Sequence, residues 1–107
     1  MEINKLQKTL RDLAEKKNWG NSPAEINFAE KIALLHAEVS EALEAYRKGN
    51  FQGKDGVGEE LADILIRTIH LASIYGLDLE REINKKLKIN SERSWDNDQL
   101  HIDKKNC

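Results

Sequence analysis

A bundle of four helices, all-α, is the fold this sequence predicts, and three observations carry the expectation. Apolar residues recur at three- and four-residue spacing over long stretches instead of alternating. Aromatic residues make up 6% of the chain, charged residues 34%, and Pro23 is the single proline. That composition suits helices and argues against a sandwich or barrel with many turns. At 107 residues the chain makes one small domain with little apolar surface to spare.

The first helix is expected over residues 2–18, with Ile3, Leu6, Leu10 and Leu13 on one stripe. Gly20, just after Trp19, is placed to take the left-handed position beyond its end. Ser22, Pro23, Ala24 and Glu25 then read as the start of the second helix. Ser22 is the expected N-cap, Pro23 the first helical residue and Glu25 the acid that reaches back. This helix should run to about Lys48 and stop at Gly49. The segment 50–58, with Gly53, Gly56 and Gly58, predicts a flexible connection. It lacks the Gly-Lys-Ser/Thr ending of a Walker phosphate loop, and no strand precedes it. The third helix is expected from Val57 to Tyr75, ahead of Gly76. The fourth should run from Leu79 to Arg93 behind Asp78 as N-cap. Residues 1–95 thus form a single helical domain, and 96–107 a polar C-terminal tail.

The formal net charge is −2, and Lys and Arg are spread along the chain, so no basic block announces a nucleic-acid groove. The polar start, Met1 to Lys5, lacks the apolar core of a signal peptide. No run approaches the ~20 apolar residues that a bilayer span requires. Cys107 is the only cysteine, which rules out an intrachain disulfide. A cytoplasmic protein with neither nucleic-acid nor membrane partners is the expectation.

Two acidic pairs, Glu38 with Glu41 and Glu60 with Asp63, stand inside the two most apolar helical stretches. On the second helix Phe28, Ile32, Leu35, Val39, Leu43 and Tyr46 form the main apolar stripe, and Glu38 and Glu41 lie beside it with Leu34 and Ala45. The third helix is apolar around most of its circumference, which predicts a buried helix. Its polar exceptions, Glu60, Asp63, Arg67 and His70, fall on one narrow stripe. Ionised groups on packed faces are costly unless something compensates them. A divalent cation with oxygen ligands is a natural compensator. Residues three apart have Cβ atoms ~5–6 Å from each other, close enough for two carboxylates to share a cation. If the two helices pack antiparallel, the pairs face each other. Four oxygen donors with room for water suit Mg²⁺, with Mn²⁺ as a substitute. His36, His70 and His101 form no zinc pattern, and no Glu-x-x-His motif supports a di-iron site.

Either acidic pair alone reads as an ordinary solvated helix edge; the joint arrangement is what points to a metal. His70 alone reads as a hydrogen-bonded core histidine before a ligand or base. Arg67 is equally a salt-bridge partner for Asp63 or a phosphate contact.

At these residues the chain resembles the MazG-like, all-α nucleoside triphosphate pyrophosphohydrolases. Their mark is an E-x-x-E pair followed, after a variable loop, by E-x-x-D. Here Ala37-Glu38-Val39-Ser40-Glu41-Ala42 supplies the first half and Glu59-Glu60-Leu61-Ala62-Asp63-Ile64-Leu65 the second. Relatives carry a lysine, an asparagine and an arginine on the fourth helix, and Lys86, Asn90 and Arg93 fit that pattern. The resemblance covers about residues 25–95. Two departures stand out: Ala37 where some relatives have a further acid, and Arg67 where others have an aromatic residue.

The resemblance implies Mg²⁺-dependent hydrolysis of an NTP or dNTP between the α- and β-phosphates, giving the monophosphate and pyrophosphate. Glu38, Glu41, Glu60 and Asp63 would be the metal ligands, with Glu38 or Glu41 also taking the proton of the attacking water. Lys86 and Arg93 would offset the triphosphate charge, and Asn90 would bond a phosphate or the sugar. Phe51, Trp19 and Tyr46 are candidates for stacking on the base. Four short helices cannot readily bury one that is apolar all round, so a homodimer or dimer of dimers is expected; relatives assemble this way. The competing function is a non-catalytic helical oligomerisation or regulatory module that binds nucleotide or metal.

Overall fold

The computed structural model describes residues 2–93, and these fold into four helices with no strand among them. The helices are α1 (Ile3–Lys17), α2 (Phe28–Arg47), α3 (Val57–Ile74) and α4 (Leu79–Ser91). None is long and apolar enough to cross a membrane. The predicted polar tail lies outside the described residues.

α1 buries Ile3, Gln7, Leu10 and Ala14. The buried line is rotated from the predicted stripe, because Gln7 takes an inward place that periodicity gave to Leu6 and Leu13. Its amide earns the place by donating from Nε2 to the carbonyls of Leu77 at 3.1 Å and Ile69 at 3.5 Å. The helix stops earlier than Gly20: Asn18 takes the left-handed conformation, with φ 57°. Trp19 N–H then returns to the carbonyl of Ala14 at 3.0 Å, which satisfies an end carbonyl.

The second helix does not begin at Ser22. Glu25 does reach back, but its contacts differ from the predicted box, with its carboxylate accepting from the Asn21 backbone N–H at 2.8 Å and the Ser22 hydroxyl at 3.2 Å. They close one isolated turn and no more. Asn21 explains why: it is buried and its Nδ2 donates to the Arg11 carbonyl at 2.9 Å, tying the segment to α1. The true N-cap of α2 is Asn27, whose side chain accepts from Glu30 N–H at 2.9 Å.

The glycine-rich connection is closed by hydrogen bonds around Asn50. Its Oδ1 accepts from Gly53 N–H and its Nδ2 donates to the Lys54 carbonyl, both at 2.9 Å. Its own carbonyl accepts from Val57 N–H at 2.9 Å, at the start of α3. Gly56 is required here, since a Cβ would meet the carbonyl oxygens of Asn50 and Gly53 at 2.9 Å. Asp78 caps α4 as predicted, accepting from Arg81 N–H at 3.0 Å.

α2 and α3 form an antiparallel hairpin. Phe28 at the start of α2 meets Tyr75 just past α3, with rings edge to face at 5.3 Å. At the opposite end Tyr46 meets Phe51 of the connection at 5.8 Å. α1 packs across α3, and α4 packs on α1 and α3 but has no α2 neighbour. The core gathers Ile3, Leu10 and Ile69, with Leu79 and Ile83 packed against them.

That core covers only the C-terminal half of α3. Leu61 and Leu65 on its first half are about half exposed, as are Val39 and Leu43 of α2. The expectation that α3 is buried all round therefore fails within one chain. α2 has turned Glu38 and Ala45 inward, and of its main apolar stripe Phe28, Val39, Leu43 and Tyr46 are exposed while Ile32 and Leu35 are half-buried.

Candidate metal and substrate site

Glu38 comes from the middle of α2, while Glu60 and Asp63 come from the first two turns of α3. The hairpin brings them together: one carboxylate oxygen from each lies within 4.8 Å of the others. Glu60 is 7% exposed. Burial, a hydrogen bond with Glu38, and the charges of Glu41, Glu38 and Asp63, in that order, push its carboxyl above the ordinary carboxylate range. Glu41 is exposed and close enough to act on Glu60 by charge, but lies outside the three-carboxylate group.

The donor set tests whether a cation fits. All the donors are carboxylate oxygens, one from α2 and two from α3, and Glu60 among them is deeply buried and without a cationic partner among the described residues. Hard oxygen donors of this kind match Mg²⁺ or Mn²⁺ and suit zinc or copper poorly. The residues present fit a magnesium-type ion.

Arg67 does not pair with Asp63. It forms an ion pair with Glu38 instead, its Nε lying 3.1 Å from Oε2. Beside this pair a cleft of about 480 Å³ is lined by Leu10, Trp19, Lys31, Asp63, Ile66, Arg67 and His70. Asp63 thus belongs both to the acidic group and to the cleft wall.

His70 is held by a residue that periodicity did not reveal. Asn21 uses its Nδ2 on the carbonyl of Arg11 and, at 3.5 Å, on Glu15. Its Oδ1 is therefore the acceptor for His70 Nε2–H at 3.1 Å. The ring is left with Nδ1 as an acceptor. Burial, then Arg11, then Lys31 hold the imidazole below its ordinary pKa, so the neutral form is favoured. Nothing in the local sequence marks Asn21, Arg11 or Lys31; they act through contacts between helices far apart in the chain.

Of the residues expected on the fourth helix, Lys86 is exposed and Asn90 half-buried, while Arg93 is exposed and lies past the end of α4, which stops at Ser91. The chain does not bring α4 against α2, and the cations lining the cleft beside the acidic group are Lys31 and Arg67. Of the three stacking candidates, Trp19 lines the cleft, while Tyr46 and Phe51 meet edge to face at the C-terminal end of α2.

The model of the MazG-like family matches residues 25–106, most of the chain. The chain belongs to the MazG-like family. The match includes all four acidic positions, and the all-helical fold agrees with it. No curated protein and no solved structure matches this MazG-like chain significantly.

Proposed function

We propose that this MazG-like protein is a Mg²⁺-dependent nucleotide pyrophosphohydrolase that cleaves an NTP or dNTP between the α- and β-phosphates. One observation carries the reading: three carboxylates from two antiparallel helices converge beside a cleft that holds both an aromatic ring and cations. Glu38, Glu60 and Asp63, joined by Glu41, hold the ion. Bound there, Mg²⁺ supplies charge neutralisation of the phosphates and a lowered pKa for the attacking water.

The protein's own residues do the rest. Glu38 or Glu41 accepts the proton of the attacking water at a carboxylate oxygen. Trp19 offers a face for the base, and Ile66 and Leu10 give the cleft an apolar wall. Lys86, Asn90 and Arg93 stand as phosphate contacts. A homodimer or dimer of dimers, acting in the cytoplasm, covers the exposed apolar residues of α2 and α3.

The test is pyrophosphate release from a panel of ordinary and modified NTPs and dNTPs with Mg²⁺ or Mn²⁺. Release with at least one triphosphate, lost in Glu60→Gln, is the expected result. No turnover of any member of the panel would leave the binding-module alternative standing.

A further inference from the structure

Arg67 sits one turn after Asp63 on α3 and reaches across to α2. The ion pair of its Nε with Glu38 Oε2 at 3.1 Å is the one polar contact of its side chain among the described residues. The two ends of this pair differ. The Glu38 side chain is 14% exposed, whereas that of Arg67 is 46% exposed. The guanidinium has five N–H donors, and it also lines the cleft with Lys31 and His70. One edge of Arg67 thus holds the acidic group while the group as a whole borders the cleft.

Glu38 is one of the three carboxylates whose oxygens lie within 4.8 Å of one another. Among the described residues Arg67 is the cation paired with that group. A guanidinium nitrogen 3.1 Å from a carboxylate oxygen of Glu38 neutralises negative charge that a divalent ion would use, and its positive charge repels that ion. Contact with Glu38 and ligation by Glu38 therefore oppose each other. An arginine released from a carboxylate beside the cleft has a ready second partner, since its planar fork suits phosphate oxygens as well as carboxylates.

We propose that Arg67 is a resident counter-ion of the acidic group, displaced from Glu38 when the divalent ion enters and transferred to the polyphosphate of the substrate. It is a positioning residue that couples cation binding to polyphosphate binding. The inference rests on the metal-site reading above and goes beyond it by assigning Arg67 an antagonistic role towards the ion and a favourable one towards the phosphates.

The experiment is calorimetric titration of the metal-free full chain with Mn²⁺, for wild type, Arg67→Met and Arg67→Lys, each with its helical content checked by circular dichroism. Arg67→Met should bind Mn²⁺ more tightly, by roughly fivefold for the loss of a partly exposed ion pair. Arg67→Lys, which keeps the charge, should stay near wild type. Repeating the titration with imidodiphosphate present should tighten Mn²⁺ binding in wild type, and do so less in Arg67→Met, because the coupling is reciprocal. If wild type binds Mn²⁺ but Arg67→Met binds it equally or more weakly, the counter-ion role is overturned and the metal site stands. Equal coupling in both proteins overturns the transfer to phosphate. Failure of all three to bind Mn²⁺ overturns the metal site itself.

Discussion

Replacing Asn21 by alanine tests whether the cleft wall is held by one buried amide. The residue is 8% exposed and makes two short contacts, with the Arg11 carbonyl at 2.9 Å and with His70 Nε2 at 3.1 Å. Each contributes about 0.5–1.5 kcal/mol net, and a half-buried imidazole N–H loses its acceptor when Asn21 goes. The Arg11 carbonyl sits in mid-helix and can keep its intrahelical bond, so little is added there. The expected cost is about 2 kcal/mol, or a fall of roughly 10 °C in melting temperature for a domain of this size. Urea denaturation of wild type, Asn21→Ala, His70→Phe and the double variant gives both the cost and the coupling. Neighbours sharing a hydrogen bond should couple by about 1 kcal/mol. An Asn21→Ala loss below about 0.5 kcal/mol, the range of ordinary surface substitutions, or strict additivity with His70→Phe, refutes the clamp.

Saturating Mn²⁺ should raise the melting temperature of wild type, by about 2.7 kcal/mol of stabilisation at a hundredfold excess over Kd. Glu60→Gln and Asp63→Asn should lose that response; its survival in either variant speaks against their roles as ligands. The depressed pKa of His70 sets a pH dependence on the acid side, with Arg11 and Lys31 the charges that disfavour its protonation. The unfolded chain takes up this proton near pH ~6.5 and the folded chain only lower, so stability should fall as pH drops through that window. His70→Phe should remove that part of the slope, and an unchanged slope counts against the assignment. Leu65→Glu, on the exposed half of α3, should lower the mass seen by light scattering without loss of helix. An unchanged mass would show that this face is not where copies meet.

The parts of the fold written in short-range chemistry were legible before the structure. Asp78 followed by an amphipathic stretch gave the start of α4, and Gly49 and Gly76 marked two helix ends with φ of 72° and 68°. Glu60 and Asp63 stood out because their helix is otherwise so apolar, and they do join Glu38. The start of α2 misled because a capping-box pattern specifies only one turn. Whether that turn propagates depends on where Asn21 and its neighbours are tied, and this is a tertiary matter. The orientation of α2 was hidden for a different reason. Periodicity shows which residues share a face and is silent on what covers it, so the stripe through Val39 and Leu43 reads as core although one chain leaves it exposed. The partner of Arg67 was equally out of reach: spacing offered Asp63 on the same helix or a phosphate, and Glu38 is brought to it only by the packing of α2 on α3.

The aromatic pairs at the two ends of the α2–α3 hairpin have a mechanical consequence. Phe28 with Tyr75 and Tyr46 with Phe51 pin a frame whose remaining corner is the Asn50 to Val57 bond. Sliding α3 by a single residue along its axis is a step of about 1.5 Å with a turn of about 100°. That small slip would carry Glu60 and Asp63 together off the face they turn to Glu38 and bring their neighbours in sequence towards their place. The charges of the acids repel one another, and among the described residues only the Glu60–Glu38 hydrogen bond and the Arg67–Glu38 ion pair tie the two helices within the site. Their alignment is a property of the frame, so a change of length in the exposed connection would be felt first as a change in what the carboxylates can hold.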